Sequence, residues 1–318
     1  MKSQSVTAPS LTKKRYTFFT DVRRNRFSYL LILPALLYVL VFSYLSYPYM
    51  IIAFKNFNYK LGVFGSEWCG FKNFEFFLKS TNAPPVIRNT LVLNLLFIVT
   101  GTLTSLVLAI LLNELRSRVF VRTAQTMMLF PHYISWVVVS YILLAIFSNK
   151  NGLANQLLNA LGMKSVSWYT KADVWPTILV WMKIWKSAGM NAVIYLAAIT
   201  GIDESIYESA TIDGANRFQR IVSITVPLIM PTVCIMTLLA VGKIMNGDFG
   251  MIYALVGDQG ILYETTDVID TYVYRVLRQT GDPSQSMAIG LFQSLIGLVM
   301  VVGSNWIVKH TFHEGALF

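Results

Sequence analysis

Charge is scarce in this sequence. Of its 318 residues 55% are hydrophobic and only 13% are Asp, Glu, Lys or Arg, about half the charged share of an ordinary soluble domain. Long uncharged apolar runs recur along the chain, and a single core cannot hide them all. A soluble globular fold is excluded, and the pattern is that of a polytopic all-α membrane protein. Cysteine is nearly absent too. Cys69 sits in a polar stretch and Cys234 in an apolar run, which excludes a disulfide framework and a cysteine metal site. His132, His310 and His313 form no ligand cluster, so no metal site is expected. There is no GxxxxGK[ST] loop, hence no phosphate-binding loop with which to hydrolyse ATP. No apolar run pairs a GxSx serine with a histidine, which excludes an intramembrane serine protease, and no catalytic residue is assigned. The ionisable residues inside the apolar runs are lysines, not acids, so an ion-coupled carrier or channel has no obvious ligand for its ion.

What is present is apolar length. Six runs, 27–52, 89–112, 123–147, 174–199, 227–245 and 287–308, each approach the ~20 residues needed to cross a bilayer as a helix. The stretch before the first run is too long and polar for a signal peptide, and the run lacks a small-residue cleavage site. It is read as an uncleaved first span behind a basic arm, residues 1–26. Thirteen of the 26 Lys and Arg residues fall on one side of this topology: Lys2, Lys13, Lys14, Arg15, Arg23, Arg24, Arg26, Arg116, Arg118, Arg122, Arg217, Arg220 and Lys309. Nine are spread over the longer opposite loops, so both termini are expected in the cytoplasm. The net charge of +10 is accounted for by topology and anionic lipid contact, without nucleic acid.

One segment stands apart. YESATIDGANRFQRIVSITVPLIMP, residues 207–231, is polar and yet patterned like folded chain. Asp203 is a good N-cap with Glu204 in the first turn. Ile202, Ile206 and Ala210 form one stripe at helical spacing, and Gly214 is placed to end that helix. A second short helix is predicted with Phe218, Ile221 and Val222 on one face, and Pro227 suits the first turn of the next helix. The small residues Ser209, Ala210, Gly214 and Ala215 let another backbone approach closely, which distinguishes a docking element from a helix floating on headgroups.

Glu208, Ala210, Asp213, Gly214 and Ala215, followed by Phe218, Ile221 and Pro227 at these spacings, resemble the EAA loop of binding-protein-dependent ABC importers. Ser209 stands where that motif has an alanine. The stretch WKSAGMNAVIYLAAITGIDESIYESATIDGA resembles the sugar-importer permeases related to the maltose system. ETTDVIDTYVYR and the close HTFHEGALF resemble their complex-oligosaccharide, lipoprotein-B-like branch. The resemblance implies a type I importer permease fold of six transmembrane helices, residues 27–309, with a cytoplasmic tail 310–318. It implies that the loop 203–231 carries a cytoplasmic coupling helix, with Glu208, Ser209, Ala210, Asp213, Gly214 and Ala215 docking on an ATPase subunit. The implied partners are a second homologous permease forming a heterodimer, two ATPase subunits that bind ATP and Mg, and an extracytoplasmic solute-binding protein. The implied place is the bacterial cytoplasmic membrane. The chain itself is expected to hold no cofactor and to be no enzyme.

The cargo is the open question. Lysines inside spans are costly and usually face a cavity or a partner. Lys183, Lys186 and Lys243, the neighbouring Trp181 and Trp185, and Asn191 and Asn246 are the substrate-pathway candidates. Snorkelling, pairing with the partner subunit and plain packing of the tryptophans are the alternatives. With no acid visible to neutralise the lysines, an acidic, uronate-containing oligosaccharide of the alginate or pectin kind is expected. A neutral oligosaccharide, or a different cargo such as an amino acid or phosphate, is the alternative. The outer loops 53–88 and 246–286 are the candidates to meet the binding protein, and a short helix is predicted at VIDTYVYRVL, as a solvated surface element or a docking one.

Overall fold

A computed structural model describes residues 18–149 and 151–311. Most of the basic arm, with Lys2, Lys13, Lys14 and Arg15, Lys150, and the tail beyond Thr311 with His313 lie outside the described residues. The chain divides into two compact units, Met1–Ile51 and Ile52–Phe318. In the first, α1 (Phe18–Arg24) precedes α2 (Arg26–Phe42), which buries no residue. A helix apolar along its length that buries none of its own residues is suited to lipid. It passes into a 3-10 helix over Tyr44–Phe54 that carries Pro48, and Arg26–Phe54 as a whole is long and apolar enough to cross a membrane.

The second unit opens with a short capping segment. The two-residue strands β1 (Lys55–Asn56) and β2 (Glu67–Trp68) pair antiparallel, with α3 (Gly62–Gly65) between them and α4 (Lys72–Leu78) after. Then α5 (Ala83–Glu114) runs for 32 residues, starting on prolines that cost it no needed donor. The run 123–147, expected as one span, is two helices, α6 (Arg118–Tyr133) and α7 (Trp136–Phe147), bent by 96°. The cause is local: Pro131 lacks the amide hydrogen that would continue the last turn of α6. Ser135, in extended conformation, then accepts from the Val138 amide and starts a new helix. In α8 (Leu153–Ala160), Asn155 is buried and knits the helix to the loop that follows, donating to the Val166 carbonyl and accepting from the Val166 amide and the Trp168 indole.

The 26-residue helix α9 (Trp175–Thr200) packs along α5 and α6 and buries Ile178, Leu179, Ala188, Ala192, Tyr195 and Ile199. Gly189 is the closest crossing with α6: a Cβ there would lie 2.1 Å from the Met128 carbonyl oxygen. Next come α10 (Glu204–Ile212) and α11 (Arg217–Arg220). The expected stand-alone second helix is corrected here. From Arg217 the chain continues through a π-turn at Ile221–Thr225 into α12 (Val226–Val241), giving one apolar run of 25 residues. Pro227 stands in the first turn of α12, as expected, and the wider π-turn before it joins that helix to α11.

The remaining elements are α13 (Phe249–Val256), α14 (Tyr263–Thr266), α15 (Ile269–Thr280) and α16 (Pro283–Thr311). The helix predicted at VIDTYVYRVL is α15. It is not merely solvated: Ile269, Tyr272 and Val276 are buried against Phe77, Val86 and Ile289. Before it, Asp267 pairs with Arg275, whose guanidinium lies 4.2 Å from the Tyr263 ring centroid. Among the described residues four helices are long and apolar enough to cross a membrane, five if the bent pair is one span. The fourth expected span, α9, has the length but not the uniform apolarity of these.

Candidate functional site

Two places carry polar residues where the chain is otherwise apolar. The first is the turn after α9. The Asp203 side chain caps α10 by accepting from the Ser205 amide at 3.0 Å, and that donor lowers its pKa. Gly214 follows with φ of +79°, and the Ala215 amide bonds back to the Ala210 carbonyl at 2.9 Å, a left-handed close open to glycine without a Cβ penalty. Asn216 and Gln219 then form a reciprocal capping box. Glu208, Ser209, Asp213 and Gly214 are exposed, and Ala210 and Ala215 half-buried. Ile212 is 87% and Phe218 74% exposed beside them, which makes this a polar turn flanked by two uncovered apolar side chains.

Three contacts that sequence reasoning missed brace this turn against the long helices. The Tyr207 hydroxyl bonds Thr225 within the π-turn at 2.9 Å. Arg220 donates to Thr211 at 3.0 Å, and Arg217 lies 3.9 Å from Glu114 at the end of α5. The first two cross the turn, and the third joins residues separated by α6 to α10, so only the polar character of the partners was visible in advance.

The second place is an open cavity of about 470 Å³ between α5, α9, α12 and the non-helical link 242–248. Of the seven expected pathway residues it brings together Lys183, Asn191, Lys243 and Asn246, with Asn94, Thr102 and Tyr195. The other three lie elsewhere. Trp181 and Trp185 are 64% and 43% exposed and are not part of the lining. Lys186 is buried and donates to the carbonyls of Pro131 (3.2 Å), His132 (2.8 Å) and Ile134, with the Trp136 ring centroid 5.2 Å away. The Pro131 carbonyl also accepts from the Ile134 amide at the end of α6, and all three carbonyls lie at the break between α6 and α7, so Lys186 serves the bend.

The expectation that no acid meets the lysines is corrected as well. Lys183 forms an ion pair with Asp248 at 2.7 Å. The other Asp248 oxygen accepts from the Met251 amide at 3.0 Å and caps α13. Next to it the Gly247 amide donates to Asp270, which also accepts from Gln293 at 3.1 Å. Burial raises the Asp270 pKa above the usual carboxylate range. Asp248 lies 65 positions from Lys183, in what reads as a polar loop, and nothing local announces the pairing. Lys243, exposed on the cavity wall, has no ion-pair partner among the described residues.

Comparison with known proteins places this architecture. Residues 101–312 match the family model described as the binding-protein-dependent transport system inner membrane component. The chain is 36% identical to Protein LplB of Bacillus subtilis, over 97% of this chain and 96% of that one. It is 32% identical to the polygalacturonan/rhamnogalacturonan transport system permease protein YteP of the same organism, over 99% of each. Among solved structures it resembles a chain of a bacterial ABC transporter involved in the import of the acidic polysaccharide alginate. The TM-score there is 0.85 at 32% identity, over 92% of this chain and 99% of that one. A chain of a bacterial alginate ABC transporter in complex with an alginate pentasaccharide-bound periplasmic protein gives a TM-score of 0.84. The family match covers well over half of the chain, and the chain belongs to the binding-protein-dependent transport system inner membrane components, the permease subunits of ABC importers.

Proposed function

We propose that this chain is one of two permease subunits of an ATP-driven importer of acidic oligosaccharides, uronate-containing fragments delivered by a solute-binding protein. In this reading six helices cross the cytoplasmic membrane, α9 and the bent α6–α7 pair among them, with both termini inside. The turn at 203–215 is the handle through which two ATPase subunits, which bind ATP and Mg, move the spans. The braces from Tyr207 to Thr225 and from Arg217 to Glu114 tie that handle to α12 and α5, so that displacement of the turn reaches the cavity. Alternating access then needs only a two-state element and a ligand-facing wall.

The observation that carries the acidic cargo is Lys243. Two of the three expected lysines are satisfied within the chain, Lys186 by carbonyls and Lys183 by Asp248. Lys243 is left as an uncompensated cation on the cavity wall, and a charge at membrane depth costs on the order of 3 kcal/mol unless it meets a partner. A carboxylate on each passing sugar unit supplies one that also leaves. The relatives named for polygalacturonan, rhamnogalacturonan and alginate support the same class. Asp248 does not revive an ion-coupled carrier, because its charge is already taken by Lys183.

The test is Lys243→Gln in the reconstituted complex. Transport of acidic oligosaccharide is expected to fall about tenfold, on the order of 1.4 kcal/mol, with assembly and basal ATP hydrolysis intact. A neutral analogue should be carried as before. Equal transport of the acidic cargo by variant and wild type would remove Lys243 from the pathway.

A further inference from the structure

The cavity holds two lysines of unlike standing, and the difference is built into the chain. Lys243 is open, whereas Lys183 is masked by Asp248. We propose that Asp248 is an internal substitute for the cargo's carboxylate. It occupies Lys183 when the cavity is empty and yields it to each acidic group that enters, and this exchange sets how tightly acidic cargo is held and how fast it leaves. The inference rests on the acidic-cargo reading above and adds a specificity-determining residue to it.

Three features of the site carry the exchange. The pair is within reach of a solute: the Lys183 and Asp248 side chains are 29% and 28% exposed, and both residues line the cavity. Ion pairs this wet are weak, and swapping one carboxylate for another conserves charge at the ammonium. The two partners also differ in how they are held. Asp248 is fixed by its bond to the Met251 amide and by the neighbouring Gly247 bond to Asp270, so it stays in place when its partner leaves. Lys183 is a compact charge on a flexible four-carbon stem, with the Phe97 ring centroid 5.9 Å from its ammonium, and it is the member free to turn. A released Asp248 carboxylate is an acceptor for sugar hydroxyls, so the incoming unit engages both halves of the parted pair. Finally, two unmasked lysines would grip a polyanion at two points. With Asp248 present the three groups carry a single net positive charge, which favours passage over retention.

Asp248→Asn isolates the charge, because asparagine caps a helix as well as aspartate does and keeps the bond to Met251. The measurements are equilibrium binding of an acidic oligosaccharide to the purified complex by calorimetry, and the maximal transport rate with saturating loaded binding protein. The control cargo is the same oligosaccharide with its carboxyl groups reduced to alcohols. The variant is expected to bind the acidic cargo several-fold tighter and to transport it several-fold more slowly, with the reduced cargo unaffected. Adding Lys183→Met to Asp248→Asn is expected to bring binding and rate back toward wild type. Unchanged binding and rate in Asp248→Asn, equal shifts for both cargoes, or loss of assembly would each overturn the proposal and leave a structural ion pair. A wild-type complex that treats acidic and reduced cargo alike overturns the acidic-cargo reading itself, and this inference with it. A wild type that prefers the acid while Asp248→Asn changes nothing overturns only the exchange.

Discussion

Gly214→Val is expected to leave the subunit inserted and the complex assembled, with basal ATP hydrolysis intact, and to abolish its stimulation by loaded binding protein. Gly214 closes α10 at φ +79°, and a Cβ built there would meet nothing within 4 Å. The damage is therefore conformational. A β-branched residue pays roughly 1–2 kcal/mol to stay left-handed, and the turn escapes by rotating out of that region. Rotation breaks the Ala215–Ala210 bond and reorients Asp213 and Ala215, the surface read as the ATPase contact. Membrane insertion is untouched because the turn is exposed and lies outside every span. Measuring ATP hydrolysis of the purified complex with and without loaded binding protein decides it; stimulation at the wild-type level would contradict the handle.

Lys186→Met is expected to act on assembly, unlike substitution of the other two lysines. Its ammonium serves the carbonyls of Pro131, His132 and Ile134 from a buried position. Methionine fills much the same space and donates nothing. Each buried acceptor left without a donor costs about 1–3 kcal/mol, and no water in an apolar setting replaces the lost bonds. The bend between α6 and α7 then loses what satisfies it, and the close crossing of α6 with Gly189 of α9 loosens with it. The expected result is a low yield of detergent-stable complex and a thermal midpoint well below that of Lys243→Gln. A Lys186→Met complex as stable and as active as wild type would show that the bend needs no donor.

Sequence and structure part company along one line, whether the cause of a feature is local. The turn at 203–215 was legible because its determinants are neighbours: an aspartate cap, a stripe every four residues, a glycine where the backbone must turn left. The helix at VIDTYVYRVL was legible for the same reason. The bend was not, because an apolar run carries no mark of direction, although Pro131 and Ser135 supplied the two local signals. The continuity of α11 into α12 was hidden by Pro227, which stands in the first turn of α12 and reads as a fresh start. In the cavity, Lys183, Lys243, Asn191 and Asn246 could be nominated as polar residues in or near apolar runs, but their partners could not. Asp248 reads as loop, and the carbonyls that hold Lys186 are brought to it by the break between α6 and α7. Trp181 and Trp185 were nominated by type, and type does not say which face of a helix a side chain takes.

The most direct test of the account is ATP-driven uptake by the wild-type complex, reconstituted in proteoliposomes with its binding protein, of a uronate oligosaccharide against the same chain with its carboxyl groups reduced. The account predicts that the acidic cargo is carried at least several-fold faster at saturating loaded binding protein, and that the difference shrinks in Lys243→Gln. Equal rates for the two cargoes, or preference for the reduced one, would contradict it.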